Sequence, residues 1–282
     1  MPVDLHLHST KSDGTSTPAQ VVHAAVAAGL STIALTDHDN LDGIDEARAA
    51  AEGNGIGFIS GTELSVDWDG GAMHMLVYFL EPGSGPLQDR LIAIRRGRSE
   101  RNHEIVAALQ GLGIDITHDE IAAEAGGSGI GRPHIAAVLV AKGIVADIPE
   151  AFDRLLATGR PAYRPRLRLG VDEAISLARA SGGVPVIAHP HTLGIPADGY
   201  AEAFRGLVAA GLGGIEAYYG EYTPQLRRHL AGLCEDLGIV ATGGSDYHGA
   251  YKPDLAVGTG RGDLHVPDHV VASLVAQRDH RQ

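Results

Sequence analysis

The chain has 282 residues, and 44% of them are hydrophobic, which is enough to bury a substantial core. Its formal net charge of −13 argues against non-specific binding to long duplex nucleic acid, which relies on basic surface to displace counterions. Nothing resembles a signal peptide or a transmembrane span, and the lone Cys234 excludes an intramolecular disulfide framework. We therefore expect a cytoplasmic protein without a membrane partner.

Short β-branched apolar runs alternate with helical stretches in the first third of the chain, a pattern typical of parallel β/α units. The predicted strands here cover residues 3–7, 32–36, 57–63 and 74–80. The first helix begins near Ser16 or Thr17, with Pro18 in its first turn, and a second helix covers about residues 43–52. A turn at Trp68 leads into the fourth strand.

From about residue 86 to residue 169 the pattern changes to helices and arginine-rich loops with no confident strand. Alternation then resumes. The later elements are a helix from Val171, a strand at 184–188, a strand at 214–218, a helix at 224–237, a strand at 239–242 and a last helix after Pro267. The sequence thus predicts an α/β fold in which one barrel, residues 1–85 and 170–282, is interrupted by a mostly helical insert, residues 86–169.

Histidines and acids lie at the ends of these predicted strands. They are His6, His8, Asp13, His38, Glu63, His74, His189, Asp246 and His248. Because the C-terminal ends of barrel strands meet on one face, these side chains should converge there. His74 begins its strand and reaches the same face only if that strand is antiparallel. Each motif alone also fits a surface pair, a loop turn or a core histidine, but the joint pattern favours metal ligation.

Imidazole and carboxylate ligands without a thiolate suit Mn²⁺, Zn²⁺ or Fe²⁺ rather than Ca²⁺ or a structural cysteine–zinc site. Nine ligands are too many for one ion and fit two or three. Paired ions roughly 3.5–4 Å apart typically clamp the attacking and leaving oxygens of a phosphoryl transfer. We expect two to three divalent ions, with Mn²⁺ as the first candidate.

The motifs from His6-Leu-His8 to Asp246-Tyr-His248 appear in the order seen in the PHP (polymerase and histidinol phosphatase) superfamily, which the chain resembles across the barrel. The resemblance implies a distorted (β/α)7 TIM-like barrel with a three-ion site. It also implies a distribution of ligands among the ions: His6, His8, Glu63 and Asp246 on one, Glu63, His74 and His189 on a second, and Asp13, His38 and His248 on the third.

Within this superfamily, Asp13, the insert and Gly131-Arg-Pro-His134 resemble stand-alone enzymes that act on nucleotides. Histidinol phosphatases and polymerase PHP domains usually carry histidine where Asp13 stands. The resemblance implies a hydrolase that uses metal-activated water on nucleotide 3′,5′-bisphosphates, AMP-type products or short 5′-phosphorylated oligoribonucleotides. Two alternatives stay open: a small-molecule phosphatase, for example for histidinol phosphate, and a non-catalytic metal-stabilised domain that serves a partner protein. The complete ligand set argues against the second.

Four residues of the insert are predicted to contact a substrate phosphate. Arg101 and Asn102 match a substrate-contacting stretch of the resembling subgroup. Arg132 and His134 flank a proline that rigidifies the loop, and arginine suits bidentate contact with phosphate. Helix capping is the alternative role for this second pair.

A protonated histidine would help the leaving oxygen depart, and His134 and His191 are the candidates. Other charged or aromatic groups of the insert are predicted to lie on solvated surface: Arg95, Arg96, Arg98, His103 and His118.

Overall fold

The computed structural model describes residues 2–126, 129–165 and 167–279, and this part of the chain contains eight strands and ten α-helices. The strands are β1 (Val3–Leu7), β2 (Thr32–Leu35), β3 (Gly57–Asp67), β4 (Met73–Tyr78), β5 (Leu169–Gly170), β6 (Val184–Ala188), β7 (Gly214–Tyr219) and β8 (Val240–Gly244). The helices are α1 (Pro18–Ala27), α2 (Ile44–Asn54), α3 (Pro86–Gly111), α4 (His118–Glu124), α5 (Arg132–Ala141), α6 (Ile148–Ala151), α7 (Val171–Ala180), α8 (Tyr200–Ala210), α9 (Pro224–Leu237) and α10 (His269–Asp279). None of the described helices is both long and apolar enough to cross a membrane.

Seven strands form a barrel in the order β1-β2-β3-β4-β6-β7-β8. All neighbours are parallel except β4, which runs antiparallel to both β3 and β6. The barrel closes where Leu7 of β1 pairs with Tyr247, just beyond β8, and where the His8 N–H donates to the Tyr247 carbonyl at 3.1 Å. The predicted distorted seven-stranded barrel is therefore confirmed, including its antiparallel strand.

The outer helices form where the sequence places caps and apolar faces. Thr17 caps α1 through a reciprocal pair of hydrogen bonds with Gln20, and Pro18 occupies the first turn, as predicted. The apolar face of α1, including Val22, packs with Ile33 and Leu35 of β2 in one buried cluster. Burial of this face fixes the helix against the sheet and leaves the opposite face to solvent.

Between β4 and β5 the chain forms α3 to α6, and a π-helical turn, Phe152–Leu156, follows α6. The N-terminal part of α3 packs in the barrel core through Leu87 and Leu91. Its C-terminal part builds a separate core with α5, through Ile105 and Ile135 among others. The long helix α3 thus joins the hydrophobic core of the barrel to that of the helical segment.

Two strands differ from the sequence prediction. β3 continues past Glu63 because its first half pairs with β2, whereas residues from Gly61 onward pair with β4. β5 has only two residues and pairs with the end of β3, so it is too short to show a hydrophobic pattern. Glu63 consequently lies inside β3 rather than at its end, at the level where β2 has already finished.

Candidate metal centre

All nine predicted ligands lie together at one rim of the barrel. Alternation along β1 puts His6 and His8 on the same face. Glu63 lies in the middle of β3, where it forms a bridge with His38. The potential ligand atoms form four overlapping groups, each within 4.8 Å: His8, Asp13, His38 and His248; His6, Glu63 and His189; His6, His8 and Asp246; His38, Glu63 and His74.

Glu63 is the centre of the cluster, and its two oxygens face different histidines. Oε1 lies 2.8 Å from His74 Nδ1 and 3.0 Å from His189 Nε2. Oε2 lies 3.2 Å from His8 Nε2 and 3.1 Å from His38 Nδ1. A carboxylate with both oxygens engaged in this way can bridge two ions, which is the role that the sequence resemblance implies for it.

A second focus is Asp13, a buried carboxylate on the loop after β1. Its Oδ1 lies 3.4 Å from His248 Nε2, and its Oδ2 lies 3.6 Å from His38 Nε2. Asp13 Oδ1 and His38 Nδ1 are buried and lie near charged groups, but neither makes a hydrogen bond of favourable geometry with a residue that the structure describes. Buried polar atoms left in this state are expensive unless a further ligand satisfies them. The donor set therefore fits divalent ions such as Mn²⁺, Zn²⁺ or Fe²⁺.

A buried carboxylate outside the predicted set, Glu216 of β7, orients two of the histidines. Its Oε1 lies 2.9 Å from His6 Nδ1, and its Oε2 accepts the backbone N–H of His189 at 2.7 Å. With Nδ1 of His6 held by Glu216, Nε2 points toward the cluster. Carboxylates that orient metal-binding histidines in this way also raise the basicity of the ring.

We expect the substitution Glu216→Gln to weaken metal binding by about 10- to 100-fold while the barrel stays folded. The amide keeps the size of the side chain but loses the charge that holds His6. Titration of the ion-stripped protein with Mn²⁺, followed by calorimetry, measures the change. The exposed Glu235, on the outer helix α9, supplies a matched control as Glu235→Gln. Equal Mn²⁺ affinities of the two variants would show that Glu216 does not support metal binding.

Asp37 plays a similar part for the loop that carries Asp13. This buried carboxylate accepts hydrogen bonds from the Ser9 N–H at 2.8 Å and from the hydroxyls of Ser9 and Ser12 at 2.6 Å each. The Ser12 hydroxyl also lies 3.4 Å from His8 Nδ1. The network fixes the turn after β1, so that His8 and Asp13 face the same point.

Asp246 is held from the side away from the histidines. Its Oδ2 accepts the Tyr219 hydroxyl at 2.8 Å and the Lys252 ammonium at 2.5 Å. Its Oδ1 is left facing His6 and His8, with distances to their Nε2 atoms of 3.5 and 3.4 Å. One oxygen of this carboxylate is thus anchored, and the other is presented to the cluster.

The backbone around the centre is strained. Among the described residues, four that are not glycine have positive φ, and three of these, Asp39, His189 and Asp246, belong to or adjoin the cluster. Such conformations cost on the order of 1–3 kcal/mol each and persist where surrounding contacts enforce them. The observed strain is typical of functional sites.

The histidines differ in their affinity for protons. Burial disfavours protonation of His8, but hydrogen bonds with Asp246 and Glu63 outweigh this and raise its pKa to about 9. Burial likewise opposes protonation of His6, yet the charges of Glu216, Asp246 and Glu63 raise its pKa. Burial lowers the pKa of His38 to about 3, even though Glu63 and Asp13 lie near. Without ions, His8 is therefore protonated at neutral pH and His38 is neutral. The Nε2 atoms of His6 and His8 lie 3.1 Å apart, so only one of these two nitrogens carries a hydrogen.

Two cavities adjoin the cluster. One, of about 270 Å³, lies over it and is lined by Glu63, His189, His191 and Lys252, among others. Lys252 is the one lysine or arginine among the described residues of this wall. The other cavity, of about 230 Å³, lies between the barrel rim and the helical segment. His38 lines both, so the second cavity adjoins the metal centre at this side chain.

Basic side chains line the second cavity. Lys11, Arg95 and Arg98 contribute to its wall, as does Asn102, and no Asp or Glu is among its described lining residues. The prediction of a solvated Arg98 is wrong: this side chain is buried and forms an ion pair with Asp39. Arg95 is exposed, as predicted, and pairs with Asp42.

The predicted substrate residues occupy different places in the helical segment. Arg101 is buried and donates to Asn102 Oδ1 at 2.7 Å, and Asn102 donates to the carbonyl of Ile130 at 3.0 Å. Arg132 is half-buried, donates to the Leu156 carbonyl at 3.1 Å and stacks over Phe152. Asn102 thus reaches the cavity wall, whereas these contacts tie Arg132 to the interior of the segment.

The two predicted acids, His134 and His191, are both held as neutral rings. His134 Nδ1 accepts the Gly131 N–H at 2.9 Å, and burial lowers its pKa. His191 Nδ1 lies 3.0 Å from the Tyr222 hydroxyl, which also accepts the His191 backbone N–H. Burial and the neighbouring His189 lower the pKa of His191. The neutral His134 ring carries its proton on Nε2.

A barrel whose rim gathers six imidazoles and three carboxylates defines a class of metal-dependent hydrolases, and the comparisons with known proteins agree. Residues 4–119 match the PHP domain. A 3′,5′-nucleoside bisphosphate phosphatase from Chromobacterium violaceum is 34% identical, over 87% of this chain and 87% of its own. A 5′-3′ exoribonuclease from Haemophilus influenzae is 34% identical, over 87% of this chain and 89% of its own.

A comparison with solved structures also finds a metal-dependent phosphoesterase. A protein from Bifidobacterium adolescentis, described as a proposed metal-dependent phosphoesterase, superposes with a TM-score of 0.86 at 30% identity, over 98% of both chains. The chain belongs to the PHP family and is a metal-dependent phosphoesterase.

Proposed function

We propose that this enzyme hydrolyses phosphate monoesters of nucleotides: 3′,5′-bisphosphates, AMP-type products or short 5′-phosphorylated oligoribonucleotides. The observation that supports this most directly is the cavity lined by Lys11, Arg95 and Arg98, which adjoins the metal centre at His38. A substrate whose scissile phosphate lies at the ions can place a second anionic group near Lys11 and Arg98. The named relatives from Chromobacterium violaceum and Haemophilus influenzae act on such molecules.

The nine clustered residues are proposed as ligands of two to three divalent ions, with Mn²⁺ preferred. Bound ions supply Lewis-acid activation of water and neutralise charge on the phosphoryl group. The residues of the chain hold this arrangement in place. Glu63 spans the two halves of the cluster, while Tyr219 and Lys252 keep Oδ1 of Asp246 directed at His6 and His8.

The proposed substrate contacts are Arg101, Asn102, Arg132 and His134, with residues 86–169 acting as an insert that covers the site. Because His191 lines the cavity over the cluster, we propose that it donates a hydrogen bond to the leaving oxygen from Nε2, with Nδ1 held by the Tyr222 hydroxyl. His134 remains the second candidate for this role. The proposed setting is the cytoplasm, with small nucleotides rather than long duplex nucleic acid or membranes as partners.

A comparison of three substrates tests the proposal. The manganese-loaded protein is incubated separately with adenosine 3′,5′-bisphosphate, histidinol phosphate and a short 5′-phosphorylated RNA, and release of phosphate or nucleotide is followed. We expect kcat/KM for at least one nucleotide substrate to exceed that for histidinol phosphate by about 100-fold, since the cavity walls contact more of a nucleotide. Turnover of histidinol phosphate alone would refute the nucleotide assignment.

A further inference from the structure

Two histidines of the helical segment form a ring pair outside the metal centre. His103 of α3 and His118 of α4 have ring centroids 3.9 Å apart and planes inclined by 32°. The Nδ1–H of His103 donates to the Ser99 carbonyl at 2.8 Å, which fixes this ring on the helix. His103 is exposed, as the sequence predicts, whereas His118 is half-buried. The ring pair therefore presents an ordered, partly accessible aromatic surface.

The ring pair is suited to stacking rather than to ion pairing. Burial, together with the neighbouring His103, lowers the pKa of His118, so that its ring is neutral at pH 7. Two charged imidazoles at this separation would repel each other, whereas neutral rings gain from contact between their faces. Planar bases of single-stranded nucleic acids and nucleotides stack on histidine as well as on larger aromatic residues.

Its location connects the ring pair to the reaction. His103 and His118 line the same cavity of about 230 Å³ as Lys11, Arg98 and the metal-centre residue His38. The cavity over the cluster, of about 270 Å³, shares the lining residue His38 with this one, so the ring pair lines a cavity that adjoins the metal centre.

We propose that the His103–His118 ring pair is the nucleobase subsite of this enzyme, a stacking wall that selects substrates carrying a base. This inference rests on the proposed function and adds to it a residue pair that distinguishes nucleotides from other phosphate esters. The sugar and the second phosphate lie beside Lys11 and Arg98, and the scissile phosphate lies at the metal centre. Stacking does not read the edges of the base, so the subsite accepts purines and pyrimidines alike.

The test compares a substrate with a base and one without. In the double variant His103→Ala/His118→Ala we expect KM for adenosine 3′,5′-bisphosphate to rise about tenfold or more, the usual effect of losing one base–aromatic stack. KM for the base-free ribose 3,5-bisphosphate should change less than twofold. The double variant His103→Phe/His118→Phe keeps the aromatic surface and should restore the low KM. His23→Ala, at an exposed histidine of α1, is the matched control.

A binding measurement separates this inference from the proposed function. With ions removed by chelation, a 2-aminopurine riboside bisphosphate should lose fluorescence on binding the wild-type protein through stacking, and should lose much less on binding the double alanine variant. Absence of nucleotide hydrolysis by the wild type would count against the proposed function alone. Equal quenching by both proteins, or equal loss of kcat/KM for the two bisphosphates, would overturn the nucleobase subsite.

Discussion

Replacing Glu63 with glutamine is expected to lower the rate of phosphate release on the order of a thousandfold, the equivalent of several kcal/mol of transition-state stabilisation. Both oxygens of this carboxylate face imidazoles, Oε1 toward His74 and His189 and Oε2 toward His8 and His38. An amide of the same shape has only one oxygen, and its NH2 group cannot bind a cation. The variant should therefore lose the bridge between the two halves of the cluster.

The variant is assayed for phosphate release with excess Mn²⁺, and its metal content is measured by elemental analysis. Glu52→Gln, at an exposed position on α2, controls for the loss of one negative charge. Circular dichroism checks that the barrel is intact. If Glu63→Gln retained both its ions and more than about a tenth of the activity, Glu63 would not be the central ligand.

The nine clustered residues could be predicted from sequence because a parallel barrel turns strand ends into spatial neighbours. His6, His189 and Asp246 follow this rule directly. His74 required the further expectation that its strand is antiparallel, and β4 does run that way. Glu63 is the exception, since β3 continues beyond it to pair with β4. A strand that changes partner halfway along leaves no mark in the hydrophobic pattern.

The residues that support the cluster could not be found in the same way. Glu216 lies within β7 and Asp37 on the loop after β2, and neither forms a local motif. Their roles depend on contacts with His6 and Ser12, which are distant in sequence. Only the folded structure brings such pairs together. An acid in the middle of a buried strand is nevertheless a usable signal, because a buried charge needs a partner.

The helical segment was the least predictable part of the chain. Helical spacing indicates which arginines share a face, but it cannot say whether that face meets solvent or the barrel. Arg98 illustrates the problem, since its pairing with Asp39 depends on how α3 crosses the rim. The contact between His103 and His118 similarly depends on the packing of α3 beside α4. Both contacts are set by tertiary packing, which cannot be predicted from the periodicity of residues along a helix.

Metal uptake by the ion-stripped protein should release protons, and the affinity for Mn²⁺ should rise with pH. The pKa of His8 is raised to about 9, and that of His6 is also raised, so the hydrogen between their Nε2 atoms, which lie 3.1 Å apart, is retained at pH 7.5. A proton and an ion compete for the same imidazole nitrogen. His38, with its pKa lowered to about 3, is already neutral and contributes no proton.

The raised histidine pKa values determine how stability and metal affinity change with pH. Raised histidine pKa values stabilise the ion-free fold fully below the unfolded-state value near 6.5, and this stabilisation is lost as pH rises through about 9. Each proton displaced makes the apparent metal affinity about tenfold stronger per pH unit within this window. Below pH 6.5 protons still compete with the ion for the imidazole nitrogen. Above a pH of about 9 the metal affinity no longer depends on the protonation of His8.

Isothermal titration of Mn²⁺ into the stripped protein, in two buffers of different ionisation enthalpy, counts the protons released. At pH 7.5 we expect a release of about one proton, and between pH 6.5 and 8.5 a gain in affinity. The variant Glu216→Gln removes the carboxylate that contributes most to raising the pKa of His6, so it should release fewer protons. A wild-type affinity that stays constant from pH 6.5 to 8.5 would show that metal binding displaces no proton from His6 or His8.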